Sequence, residues 1–409
     1  MAADQASLLA ARAPVRPDIE VIDDPGPAPG RARRARPLLW PLACYLAARA
    51  VVTLASIPAM RESHPGAGPW PDIPGGNAFT RVLAQWDGAW YLWVANRGYP
   101  GPAQYRQHLS DVAFFPLFPA CIRGLSAVTG LSTLTSALVL SFVFGALATV
   151  LVWMLCVRLV GRDKANRAIA LFVFFPGAFV LSMAYAETLM IAAIAASLLF
   201  LLERRWWLAG VAAALATATR PNAIAILLAC AVVAFVELRE RRDWSVLTAP
   251  VLAASGVGAF FVFLWVHTGH MTAWFQSERL MWHDHFAFGV PIAKHFVGMF
   301  TSLPLSLASG RLNDLIATVG LVVAVVALVL LWRARWPLAV KAYTAIALLI
   351  PFGSNAVGHR PRMLFAAFPM AALAADRLSR RWYAIMLAVS IALLVGMTYI
   401  TTTSLAAVP

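Results

Sequence analysis

Charged residues are what this chain has little of. Asp, Glu, Lys and Arg supply 13% of its 409 residues, while 61% are hydrophobic. A soluble domain is about a quarter charged and half apolar, so the shortfall excludes a water-soluble fold. Cysteine is scarce too: Cys44, Cys121, Cys156 and Cys230 all lie in or beside apolar segments. None belongs to a CxxC pair, which leaves a disulfide framework and a zinc site equally unsupported. An internal repeat is also missing, which argues against the paired halves of a transporter. What the sequence does contain is a series of long apolar runs separated by short basic clusters, the layout of one polytopic membrane bundle.

The net charge of +14 is scattered between those runs instead of concentrated on one face, so it reads as membrane topology and not as nucleic-acid binding. Residues 1–36 are rich in Pro, Ala, Asp and Gly and end in the cluster Arg31, Arg33, Arg34, Arg36. Such a segment buries no core and is expected to be a disordered basic cytoplasmic tail. No signal-peptide cleavage site follows it, so the next apolar run reads as a retained first helix. Residues 37–409 then form a single transmembrane domain. Its expected spans are 37–58, 131–157, 166–183, 187–202, 206–219, 222–237, 247–267, 312–332, 336–353, 363–376 and 383–404, about eleven helices. Several are shorter than the roughly 20 residues that cross hydrocarbon. With the N-terminus inside, 21 of the 33 Lys and Arg fall on the cytoplasmic side, as the positive-inside rule requires. Two extracytoplasmic loops remain, 59–130 and 268–311, together with short outer turns near Glu187, Arg220 and 354–362. Function is expected on that face.

The first loop holds apolar residues at 79, 82, 83, 86, 90, 93 and 94, a helical spacing with a Trp-rich face suited to a helix in the membrane interface. Asp87 has Leu83 at i−4, Trp90 at i+3 and Tyr91 at i+4, which sets its carboxylate at the border of the apolar face. A carboxylate there can act as a base. The bland alternative is an aromatic anchor whose Asp faces water.

The run Gln85-Trp86-Asp87-Gly88-Ala89-Trp90-Tyr91-Leu92-Trp93-Val94 resembles the signature after the first helix of PIG-V-type mannosyltransferases, within the C-type membrane glycosyltransferase superfamily (GT-C). Phe114-Phe115-Pro116-Leu117-Phe118-Pro119 is similar to that family as well. So are Phe175-Pro176-Gly177, Tyr185-Ala186-Glu187, Thr219-Arg220-Pro221 and Arg360-Pro361-Arg362 with Phe368-Pro369. The later motifs are short, and their order along the chain carries the likeness. The resemblance implies an all-α polytopic GT-C-like bundle with an interfacial helix in the first loop. It further implies an inverting α-mannosyltransferase that takes polyprenyl-phosphate-mannose and elongates a glycolipid or cell-envelope glycan. Asp87 would be the general base. The alternatives are another polyprenyl-linked sugar, transfer to protein hydroxyls, or a lipid or glycan transporter.

A lipid monophosphate leaving group calls for no metal, no Asp-x-Asp motif occurs in the outer loops, and no cofactor is required. Fixed cations would instead hold the departing phosphate: Arg220, Arg360 and Arg362, each with the alternative of contacting lipid headgroups. Arg49 lies inside the first span, where a charge costs about 2.5–3.5 kcal/mol, and so needs either the donor phosphate or an ion pair with Glu187. Trp86, Trp90, Tyr91, Glu187, His270 and His359 are the candidate substrate contacts. In the second loop His270 and Met271 stand where the family commonly has Asp and Pro. His267, His270, His283 and His285 have no closed ligand set around them, so contacts with sugar or phosphate are favoured over zinc. The Ala- and Arg-rich composition points to a bacterial cell membrane.

Overall fold

The computed structural model describes residues 31–60, 71–301, 309–355 and 360–403. His359 and most of the expected tail lie outside the described residues. The chain divides at Leu39: Trp40–Pro409 is the unit that carries the site, and of the preceding unit the described part is the start of the first helix.

Seventeen α-helices follow one another among the described residues, with no strand and one isolated antiparallel bridge. They begin with α1 (Arg31–Ser56), α2 (Ala78–Val82), α3 (Asp87–Arg97), α4 (Leu117–Thr129), α5 (Thr133–Val160) and α6 (Arg162–Val173). Next come α7 (Glu187–Leu202), α8 (Trp206–Thr217), α9 (Ile224–Arg241), α10 (Thr248–Thr268) and α11 (Ala273–Leu280). The last are α12 (Val290–Thr301), α13 (Ser309–Trp332), α14 (Leu338–Gly353), α15 (Pro361–Phe365), α16 (Met370–Arg377) and α17 (Arg380–Thr403). Six stretches are long and apolar enough to cross a bilayer: Leu38–Ser56, Thr133–Val160, Pro221–Arg241, Trp244–Thr268, Asp314–Trp332 and Arg380–Thr403. Large apolar side chains stand exposed along them, among them Leu54, Val143, Val251, Val319 and Leu393. Water would not tolerate so much exposed apolar surface, so the protein is an all-α integral membrane protein.

Each of the eleven expected spans meets helix, but two break. Over 166–183, α6 stops at Val173; the Phe-Pro-Gly that follows gives way to a short 3-10 helix, Ala178–Leu181. Over 363–376, α15 and α16 are separate, with Pro369 at the N-cap of α16. Proline has no N–H for an interior helical bond, which explains both interruptions. The single helix expected over 79–94 is likewise two, α2 and α3. Between them Trp86 takes φ 59°, a left-handed value that breaks a helix and is uncommon for a bulky side chain.

α3 is packed inside the protein. Tyr91, Leu92, Val94 and Ala95 join Phe114, Phe118, Ile122, Leu134, Ala137 and Leu189 in one buried apolar cluster. Burial at 88–92, 94 and 95 covers most of the helix circumference, which is why the Trp-rich pattern reads as amphipathic but packs as core. Ala184 N donates to Leu83 O at 2.9 Å, and Leu117 N donates to Ala218 O at 3.1 Å. These two bonds draw together the loops that precede α3, α4, α7 and α9.

Candidate active site

Four charged side chains from four distant stretches meet where those loops converge. Asp87 is the first residue of α3 and Glu187 the first of α7, so each carboxylate stands at the positive end of a helix macrodipole. Arg220 precedes the 3-10 turn Pro221–Ala223, and Arg362 is on α15. Arg220 Nη1 donates to Asp87 Oδ2 at 3.1 Å, to Glu187 Oε2 at 3.1 Å and to the Tyr91 hydroxyl at 3.3 Å. Arg362 donates through Nε to Glu187 Oε1 and through Nη2 to Asp87 Oδ2. Acids and guanidiniums therefore alternate around a closed ring of zero net charge. Arg362 also lies 4.6 Å from the centroid of the Tyr185 ring.

Burial makes that balance necessary. Glu187 is 3% exposed and Arg362 5%, and a charge so withdrawn from water is tolerated only when paired and hydrogen-bonded. Burial alone would raise the Asp87 carboxyl, but Arg362 and Arg220 outweigh it and hold the group down at about 2. Asp87 is accordingly ionised at neutral pH. Both arginines bond the same oxygen, Oδ2, and the described contacts of Asp87 fall there. The arrangement offers a fixed carboxylate with one oxygen committed, flanked by two cations able to meet an anion.

The sequence candidates separate into groups. Asp87, Glu187, Arg220, Arg362 and Tyr91 come together in the ring. Arg360 is half-buried beside it in sequence, and burial lowers its basicity. Arg49 is elsewhere and does not pair with Glu187. Its guanidinium donates to Ala178 O at 3.0 Å, Ser182 Oγ at 2.7 Å and Val173 O at 3.4 Å, and lies over the Tyr45 ring; the carbonyls left free by the break after α6 supply its acceptors. Trp86 is buried, with its Nε1 donating to Thr401 O at 2.9 Å. Trp90 is also buried, its face stacked on Phe114 at 5.8 Å and its edge met by Trp282. His270 is exposed and stacks on Tyr105 at 4.7 Å. His267 Nε2 lies 3.1 Å from Tyr99 O. Among the described residues no three His, Cys, Asp or Glu side chains gather as a metal site.

One acid near the ring carried no motif. Glu278 on α11 is half-buried, and burial, reinforced by the Asp284 carboxylate, pushes its carboxyl up to about 8 while Arg220 pulls the other way. It is the one acid in α11, next to the buried Ser277, and that position was its only signal.

An all-α membrane protein with a buried ring of acids and arginines is a class that fits many activities. The profile of glycosyltransferase family 87 matches residues 118–356, and the chain belongs to that family. The matched stretch contains Glu187, Arg220 and Glu278; Asp87 and Arg362 flank it. No curated protein matches the sequence. Among solved structures the chain is similar to an Archaeoglobus fulgidus oligosaccharyltransferase crystallised with a tethered acceptor peptide containing the NVT sequon. Identity is 15%, the TM-score 0.39, and the match covers 89% of this chain and 56% of that one. The chain thus spans about half the length of that protein.

Proposed function

We propose that this protein is a polyprenyl-phosphate-mannose-dependent mannosyltransferase acting on a glycolipid or cell-envelope glycan at the extracytoplasmic face of a bacterial membrane. Membership of a glycosyltransferase family supports sugar transfer; the PIG-V-like motifs around Asp87, Glu187, Arg220 and Arg362 support the donor and the sugar. The observation that carries the mechanism is the ring in which two arginines share Asp87 Oδ2.

In the reaction the acceptor oxygen attacks the anomeric carbon, the bond from that carbon to the phosphate oxygen breaks, and the electron pair leaves with the polyprenyl phosphate. The acceptor proton passes to Asp87, with inversion at the sugar. A carboxylate held near 2 is a weak base toward a free alcohol, so two events have to coincide. The hydroxyl becomes acidic as its new bond forms, and an arginine that turns from Asp87 to the departing phosphate releases the carboxylate to bind a proton. Arg220 and Arg362 are the candidates for that exchange, with Arg360 as a further cation at the phosphate.

The test is transfer of radiolabelled mannose from synthetic polyprenyl-phosphate-mannose into membrane extracts by the purified protein. Asp87→Asn keeps the size and removes the base; turnover should drop by roughly 10²–10⁴-fold with donor binding retained. Absence of transfer by the wild type would remove mannose as the sugar, and equal turnover by both proteins would remove Asp87 as the base.

A further inference from the structure

The segment between α11 and α12 has no regular structure, yet it is tightly held. Two of its residues, His283 and Phe288, adopt φ of 53° and 52°. Conformations of that kind are strained for a residue with a side chain and persist where the surroundings enforce them. Here the surroundings are the end of α14. Ala287 N donates to Gly353 O at 2.7 Å and Asn355 N to His285 O at 3.1 Å, framing an antiparallel bridge between Phe286 and Ser354. A Cβ on Gly353 would overlap the Phe286 ring, which would have to turn away.

Asp284 lies at the centre of this contact. Its carboxylate accepts the single Ser354 hydroxyl proton, with Oγ 3.0 and 2.9 Å from its two oxygens, and the Asn355 N–H at 2.8 Å. Its own N–H donates to Glu278 O at 2.9 Å, and Asn355 Nδ2 donates to His283 O at 3.3 Å. The two sides of the clasp lead to the two sides of the charged ring. Trp282, beside it in sequence, packs edge-on against Trp90 at 5.9 Å and Phe114 at 5.7 Å, and Trp90 lies one turn after Asp87 on α3. On the other side α14, whose end the clasp holds, packs against α15, where Arg362 reaches Asp87 and Glu187.

We propose that Asp284 is a positioning residue for sugar transfer: by clasping Ser354 and Asn355 it fixes the approach of Arg362 to Asp87 and holds Trp282 against α3. It touches no reacting atom. The inference rests on the transfer reading above, and its consequence is that loss of the clasp lowers kcat while leaving the donor KM close to that of the wild type. Misplacing a catalytic group by about 1 Å costs on the order of 10²-fold in rate, which is the loss expected for Asp284→Ala. Ser354→Ala removes one donor and keeps the Asn355 bond, so it should fold and lose less.

The discriminating experiment replaces the clasp by a covalent one. Phe286 and Ser354 face each other without mutual hydrogen bonds, a pair whose Cα atoms are typically about 4.5 Å apart, within reach of a disulfide. Phe286→Cys with Ser354→Cys in the full-length Asp284→Ala protein should be slow when reduced and recover most of the lost kcat when oxidised. A purely charge role for Asp284 would not respond to the cross-link. Wild-type kcat in Asp284→Ala, or no gain on oxidation, would overturn the proposal. Hydrogen exchange of the substrate-free protein gives an arm that needs no activity. In Asp284→Ala, amides at 362–366 should exchange at least about tenfold faster, and unchanged exchange there would also overturn it. If the wild type transfers no sugar, the transfer reading fails alone, and exchange still decides whether Asp284 positions Arg362.

Discussion

Arg362 uses two different nitrogens for two different acids, Nε for Glu187 and Nη2 for Asp87, a task for a planar fork that a lysine cannot share out. Arg362→Met would leave the buried Glu187 and the half-buried Asp87 to Arg220 alone. Removing one partner from a buried pair costs ~3–5 kcal/mol, and thermal unfolding in detergent should show that loss, with Arg362→Lys falling between. Glu278 supplies the pH dependence. Its folded-state carboxyl titrates at about 8, well above the ordinary value of 4.5, so the folded protein binds a proton that the unfolded chain has released. That stabilisation is complete below about pH 4.5 and is lost as pH rises through about 8. Glu278→Gln should therefore match the wild type at pH 4 to 5 and exceed it in melting temperature at pH 8; parallel curves would place Glu278 in water.

Among the elements, the breaks matter more than the helices. The Phe-Pro-Gly after α6 opens the carbonyls that hold Arg49 and brings Gly177 against α15, where a Cβ on Gly177 would overlap the Pro361 carbonyl. Gly177→Ala must push α15, and with it Arg362, away from the ring. Overpacking of this kind costs typically about 1–3 kcal/mol, and the variant should lose turnover as well as melting temperature. A variant that lost stability alone would show that α15 tolerates the shift. The left-handed Trp86 acts similarly at the start of α3: it turns the chain so that Asp87, and not an aromatic residue, heads the helix that points into the site.

For the whole molecule, the distribution of arginine sets the expected orientation, because Lys and Arg in short loops are retained on the cytoplasmic side. The loop carrying Gln104 and the Arg162–Arg167 stretch at the start of α6 should therefore face opposite sides. In a background lacking the half-buried Cys121, Gln104→Cys should react with a membrane-impermeant maleimide in intact cells. Asp163→Cys should react only after permeabilisation. The reverse pattern would put the ring on the cytoplasmic side and remove the need for a lipid-linked donor.

Hydrophobic runs and basic punctuation are local properties, so the sequence alone determined that the chain is an all-α membrane protein and where its six long spans fall to within a few residues. Motifs singled out Asp87, Glu187, Arg220 and Arg362 as candidates, since acids and arginines beside apolar helices are conspicuous in so uncharged a chain. Which of them meet was decided by tertiary structure alone. Arg49 was as plausible a partner for Glu187 as Arg362, and separation along the chain says nothing about which guanidinium arrives. Trp86 and Trp90 looked like surface aromatics because a helical period reveals one face and not what the other elements cover. Glu278 and Asp284 were silent because a carboxyl acquires its meaning from burial and neighbours, and those are supplied by segments far away in sequence.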